Sequence, residues 1–458
     1  MSKKIRLRVI AVLTVFSILA AVFAALPASA QQTAPAVTPA NTRSATIAAA
    51  TAEVLQETSE IRGLPILRPV KSGAQSRTDI ERMIIKNLDE ETTPSEMHAT
   101  ELSLKKLGLV PNDFQYRAFI ISLLSEQVAG YYDPKAQQFY LADWIELEGQ
   151  LPVMAHELTH ALQDQHFNLR RFDKWPKGDS DAELAVHALI EGDATLAMMQ
   201  YILRKPERAR EFMKSMSGTA ASANEKIESA PRALRESLLF PYEQGAQFVT
   251  RLYARGGWKE VSQAFTVLPQ STEQILHADK YLAREAPVKV EMTDISKQLG
   301  RGWKRVDYDV SGEWSYYLIL DEYLKSSSES EKAAAGWGGD RYAVYEGPKG
   351  EVMLAQLTVW DSEQDATEFF EAYVKRTGLR YAKEKLPETV STDTGGFQIL
   401  TNRFSTKWAD SNLLRTTSGL VSIERNRSRV LILEGVPNMK TLAALQSDIW
   451  QQANRGKL

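Results

Sequence analysis

The sequence predicts an α+β protein: a mostly helical part with a small N-terminal β-hairpin or sheet, followed by a separate C-terminal α+β domain. Three observations predict it. Helical spacing of apolar residues dominates residues 61–285, broken by two short aromatic-rich runs around Asp133-Pro134. Five β-rich runs crowd the last third, accompanied by two helical stretches. The length, 458 residues, exceeds what one ordinary core holds.

The chain opens with a basic head (Lys3, Lys4, Arg6, Arg8), an apolar-to-small run from Val9 to Leu26, and Ala28-Ser29-Ala30. That order is a secretory signal peptide over residues 1–30, cut after Ala30. The alternative is a retained membrane anchor, because such a run is nearly long enough to cross a bilayer. The expected location is outside the cytoplasm: secreted, periplasmic or at the cell envelope. Residues 31–60 read as a flexible linker, since "QQTAPAVTPANTRSATIAAA" is rich in Ala, Thr and Pro without a useful apolar period.

From there to Val110 the chain reads as polar helical segments with few anchors. "PNDFQYRAFIISLLSEQVAG" reads as a buried helix ending near Gly130, and "VAGYYDPKAQQFYLADW" as a hairpin. A helix is expected from about Pro152, proline suiting a first position. "DSDAELAVHALIEGDATLAMMQYILRKP" reads as a second long helix, with Ser180 and Glu183 at capping-box spacing and Pro206 as its stop. Further helices are expected over 230–240 and 243–254, the latter closed by Gly256-Gly257. A boundary within 285–330 divides a domain of residues 61–285 from one of residues 286–458. In the latter, "DRYAVYEG", "EVMLAQLTVW", "GFQILTN", "GLVSIERN" and "RVLILEGV" read as strands, and "SEQDATEFFEAYVKR" and "MKTLAALQSDIWQQ" as helices.

Composition excludes several classes. The formal charge of −3 gives no footprint for a nucleic-acid partner. There is no cysteine, so no disulfide, thiolate ligand or thiol nucleophile exists. The "AAAGWGGDRY" glycines lack the following helix and lysine of a phosphate loop.

Chemistry concentrates in "PVMAHELTHALQDQHFNL", which holds three of the six histidines. His156 and His160 are four apart, so a helix aims both imidazoles at one point. Two neutral imidazoles fill half of a tetrahedral zinc site. Glu157 is rotated about 100° around the helix, where a general base belongs. Ala155, Leu158, Ala161 and Leu162 imply a buried helix, in which unpartnered imidazoles would be costly. A catalytic zinc also needs a third protein ligand and an open position. Glu191 in "HALIEGDATLAM" is the choice, with Gly192 beside it to let two helices approach; His187, one turn earlier, is its competitor. Asp164 reads equally as a residue orienting a ligand or as one bonded to solvent, and His166 as a helix-end histidine. His277 has no derivable role beyond a weak second oxyanion donor.

"HELTH" followed by "EGDA" on a second helix resembles the gluzincin metallopeptidases. The Glu-Gly-x-Ala element is similar to the third-ligand motif of the aminopeptidase-N-like branch, and "HELTHALQD" to the active helix of thermolysin-like enzymes. The resemblance implies a zincin-like catalytic domain in which His156, His160 and Glu191 bind Zn2+ and Glu157 is the general base. It covers roughly residues 115–260. The spacing departs from the two branches: thirty residues separate His160 from Glu191, and the "FNLRRFDKWPKGD" connection accounts for the excess. "LFPYEQGAQFVTRLYARGG" resembles the aminopeptidase-N-like segment whose tyrosine stabilises the transition state, which implies that role for Tyr242 at the opening of a helix.

The expected function is that of an exported zinc-dependent metallopeptidase acting on peptide or protein substrates. "QFYLAD", residues 138–143, is expected to offer a free strand edge to an extended substrate. The Gly-x-Met-Glu-Asn segment that anchors a substrate ammonium in the aminopeptidase-N-like branch is absent, which favours an endopeptidase. The rival is a non-catalytic exported binding protein stapled by zinc. Nucleic acid is not an expected partner, and a membrane is one only if the N-terminal segment is retained.

Overall fold

A computed structural model of the chain describes residues 40–144, 147–175, 178–211, 228–382, 404–405 and 409–455. The signal peptide, the start of the linker and the strand expected at 396–402 lie outside the described residues. The architecture is α+β with two sheets.

The expected linker ends early, because Ala40–Arg62 form a helix, α1. Ile47, Thr51, Val54, Leu55, Thr58, Ile61 and Arg62 recur at helical spacing and are all buried. Threonines in this stripe weaken the apolar contrast that periodicity relies on. Strand β1 (Lys71–Gln75), α2 (Arg77–Glu91), α3 (Pro94–Leu107) and α4 (Tyr116–Gln127) follow. Helix α3 is delimited by a reciprocal Thr93–Glu96 capping box and by Gly108 at φ 75°. The hairpin is β2 (Gly130–Asp133) and β3 (Gln138–Ala142).

The strand order is β1-β3-β2, with β1 parallel to β3 and β2 antiparallel to it. Residues 138–142 are therefore central and offer no free edge, which corrects the expectation from sequence. The cause is β1, whose Lys-Ser-Gly-Ala-Gln carries no strand signal and pairs only because β3 is there to receive it.

Helix α5 (Leu147–Phe167) starts before Pro152, which lies inside it. Every residue from Pro152 to Asp164 is buried. Helix α6 (Ser180–Leu203) has Asp179 as its N-cap rather than the expected Ser180. Ser180 instead gives its N–H and hydroxyl to Asp309, at 2.8 and 2.5 Å. Helix α7 (Arg232–Ala264) runs straight through Pro241 and breaks only at Gly256 and Gly257, so the two helices expected there are one up to the kink.

After the short helices α8 (Thr272–Leu276), α9 (Ala278–Ala283) and α10 (Ser296–Leu299) comes β4 (Lys304–Asp309). Helices α11 (Gly312–Leu324) and α12 (Ser327–Ala334) precede β5 (Trp337–Glu346), β6 (Val352–Trp360) and α13 (Glu363–Tyr381). The chain ends with β7 (Phe404–Ser405), β8 (Ala409–Thr416), β9 (Gly419–Asn426), β10 (Arg429–Val436) and α14 (Met439–Arg455). These strands form one antiparallel sheet in the order β4-β5-β6-β10-β9-β8-β7. Alternation along β10 serves both faces: Val430 and Ile432 pack with Phe369 and Tyr373 of α13, and Leu431 and Leu433 with Leu445 and Ile449 of α14. Val290, Met292, Ile295 and Leu299 pack on that second face too.

The two halves meet at the helices that matter for the site. Asp309 accepts the Ser180 N–H at the start of α6, the Trp314 N–H donates to Thr272 Oγ1 at 3.2 Å, and Phe240 of α7 lies 4.7 Å from the Trp314 ring.

Candidate metal centre

Helix α5 sets His156 and His160 one turn apart, their Nε2 atoms separated by 3.1 Å. Glu191 arrives from the middle of α6. Its Oε2 lies 3.0 Å from His156 Nε2 and 3.4 Å from His160 Nε2. All three side chains are buried. A tetrahedral site with bonds near 2.0–2.1 Å spaces its donor atoms about 3.3 Å apart. Two nitrogens and a carboxylate oxygen thus stand as three corners around one point, a donor set suited to a borderline divalent ion. Among the described residues one other group, Glu273, Glu285 and Asp361, brings its ligand atoms within 4.8 Å of one another. It closes on the Lys280 ammonium, which bonds all three.

The approach of α6 has a local cause. A Cβ on Gly192 would stand 2.2 Å from the carbonyl of Gly245, and one on Gly245 would stand 2.1 Å from the carbonyl oxygen of Ala188. Helices α6 and α7 cross there with backbones in contact, which only glycine permits. The crossing carries Glu191 inward on one helix and Tyr242 inward on the other.

Charge is balanced within the cluster. Burial works against ionising Glu191, but the two imidazoles, His160 foremost, bring its carboxyl down to about 2. Burial also opposes a charge on His160, yet the Glu191 and Glu157 carboxylates outweigh it and raise the imidazole to about 9. Burial lowers His156, against the pull of Glu191. Glu157 is pushed up to about 8 by burial. Its Oε2 accepts the backbone N–H of Tyr132 at 3.0 Å, while Oε1 is buried without a hydrogen-bond partner. His156 Nδ1 is likewise buried without one. Unsatisfied polar atoms of this kind mark a place where something polar is expected to bind.

Tyr242 packs with Leu123 and Leu238, and its ring centroid is 6.1 Å from that of His156. It lies within α7 rather than at a helix start. His187 is buried one turn from Glu191 but takes no part in the three-atom cluster, and burial brings it down to about 4. Asp164 orients no ligand: it accepts from Arg68 at 2.7 Å and from the Tyr132 hydroxyl at 3.0 Å, tying α5 to neighbouring segments. His166, at the end of α5, contacts the Pro65 carbonyl at 2.7 Å. His277 pairs through Nε2 with Glu313 of α11 at 2.9 Å.

Three further residues surround the site and escape sequence reasoning. Gln163 contacts His160 Nδ1, Asp193 contacts Gln163, and Arg62 contacts Asp193. Gln163 and Asp193 sit within the two motif helices, so proximity to the motif was a usable signal. Arg62 is 98 residues from His160 in sequence and carried none.

Residues 297–446 match a family described only as a domain of unknown function (DUF8575). That stretch runs from within α10 to the middle of α14 and does not include α5 or α6. No curated protein and no solved structure matches the chain.

Proposed function

We propose that the chain is an exported zinc-dependent metallopeptidase of gluzincin type, hydrolysing peptide bonds as an endopeptidase. The observation that carries this reading is the convergence of His156, His160 and Glu191 beside a buried Glu157 with one unpaired carboxylate oxygen. The zincin-like character of residues 61–285 rests on the same convergence and on the order of the helices, a small sheet followed by the His-bearing helix and then the Glu-bearing one.

His156 and His160 through Nε2, and Glu191 through Oε2, would hold the ion. A zinc ion so held supplies Lewis acidity, polarising a carbonyl and acidifying water. The chain's own residues do the rest. Glu157 Oε2 is anchored by Tyr132, which leaves Oε1 to take a proton from the attacking water and return it to the leaving amine. Tyr242, beside His156, donates to the developing oxyanion. Strand β2 lies at the edge of the three-stranded sheet and meets α5 through Tyr132, so its outer edge is where an extended substrate would pair. Export rests on residues 1–30 and their order of charge, apolar run and small residues.

The test compares wild type with Glu157→Gln at matched zinc content on casein and a peptide library. Loss of the base is expected to slow turnover by at least ~10²-fold. Equal rates, or no cleavage by either protein across the panel, would replace this reading with that of a zinc-stapled binding protein.

A further inference from the structure

One face of the candidate centre is backed by a buried polar chain that begins on α1, outside the motif helices. Arg62 donates to Asp193 Oδ1 at 2.5 Å, with both side chains fully buried. The same guanidinium reaches Ser262 at 3.1 Å and lies 4.5 Å over the Trp258 ring. Asp193 Oδ2 accepts from Gln163 Nε2 at 2.9 Å, and the Ile190 carbonyl accepts from that same nitrogen at 3.0 Å. Gln163 Oε1 then meets His160 Nδ1 at 2.8 Å.

The chemistry of this chain runs in one direction. A nitrogen facing a carboxylate and a carbonyl must be the NH2 end of the amide, since two acceptors cannot face a third. Gln163 therefore presents its oxygen to His160. An oxygen can only accept, so His160 Nδ1 carries a proton. With that proton held on Nδ1, Nε2 is the nitrogen that presents a lone pair to an ion at the point where His156 Nε2 and Glu191 Oε2 meet, any second proton leaving Nε2 as the ion binds. Removing Arg62 would leave the Asp193 carboxylate buried without its counter-charge, and the order would lapse at its first link.

We infer that Arg62, Asp193 and Gln163 are positioning residues that hold His160 in the tautomer able to bind a metal through Nε2, making α1 a constituent of the metal centre. This rests on the reading of His156, His160 and Glu191 as a metal site. His156 has no equivalent support, because its Nδ1 has no partner. The two imidazoles are thus held unequally, one by a relay across three helices and one by its ligand contacts alone.

The experiment uses the full chain and two readouts other than activity. Histidine-selective 15N NMR of the zinc-loaded wild type is expected to show His160 protonated at Nδ1 and metallated at Nε2. Zinc affinity is measured by competition with a chromophoric chelator for wild type, Gln163→Leu, Arg62→Met, Arg62→Lys, His160→Ala and Ile84→Ala. Gln163→Leu and Arg62→Met should bind zinc about 10–100-fold more weakly, with Arg62→Lys recovering most of the loss. Ile84→Ala, which hollows a core around α2, should lower thermal stability and leave affinity alone. Metal on Nδ1, or wild-type affinity in a folded Gln163→Leu, overturns the inference. So does an equal loss of affinity in Ile84→Ala. Should Arg62→Met fail to fold, the wild-type spectrum and Gln163→Leu decide. A wild type that binds no zinc fails the metal-site reading itself. Zinc lost only in His160→Ala fails the positioning chain alone.

Discussion

Gly192 and Gly245 touch backbone to backbone where α6 and α7 cross, with room for a Cβ on neither. That contact lets a carboxylate on one helix and a phenol on the other reach the same pair of imidazoles. Replacing Gly192 by Ala is expected to push the helices apart, costing about 1–3 kcal/mol or more by overpacking. Zinc affinity should fall with it, because Glu191 precedes Gly192 directly. Urea unfolding and chelator competition check both; a variant as stable as wild type would mean the helices slide freely.

Ligand binding to the folded state alone should raise its stability. At zinc concentrations about 100-fold above the dissociation constant, the gain is roughly 2.7 kcal/mol. Thermal melts with zinc and with a chelator measure it. Glu191→Gln should shrink the difference, since the neutral amide is a poorer ligand and leaves the imidazoles without their carboxylate.

Tyr242→Phe removes one hydroxyl beside His156. If that hydroxyl meets the oxyanion, kcat should drop about 10²–10³-fold, with KM and zinc content close to wild type. A raised KM with a matching fall in kcat/KM at constant kcat would place the hydroxyl in substrate binding instead.

Asp309 is buried at the joint between the two halves and its carboxyl is lifted to about 7 by burial, with Asp307 adding repulsion. In the unfolded chain an aspartate titrates near 3.9. The folded state therefore holds the proton more tightly between roughly pH 4 and 7, and this group's contribution to stability declines as pH rises through that window. Asp309→Asn cannot ionise, so it should gain on wild type as pH goes from 5 to 8. Denaturation of both proteins at the two pH values tests the sign; a difference independent of pH would remove Asp309 from the account.

Helix α1 is core rather than tether, which gives a separate test. Leu55 is buried against the α5 face that carries Leu158 and Leu162. Leu55→Ala should cost about 2–5 kcal/mol, measured by urea unfolding. A change near zero would return this segment to the status of a detachable linker.

The sequence alone determined what a short local pattern can encode. Spacing of four put two histidines on one face of α5, and the carboxylate at 191 stood out as a costly charge in an apolar helix. Gly192 was readable as a point of close approach, although its partner Gly245 was not. Strands β5, β6, β9 and β10 were equally legible as short runs rich in apolar and β-branched residues, because each is buried on both faces of one sheet.

What only the tertiary structure decided were the relationships between distant segments. Strand β1 exists through its pairing with β3, and that pairing moved the open edge from β3 to β2. The start of α6 is capped by Asp179, while Asp309, 129 residues from Ser180, takes the Ser180 hydroxyl out of the capping role its spacing suggested. Arg62 became part of the site's surroundings because α1 packs on α5 and α6. The physical reason is common to all three. Periodicity reports which face of an element avoids water, whereas partners are chosen by burial and by the pairing of polar groups brought together only when the chain closes on itself.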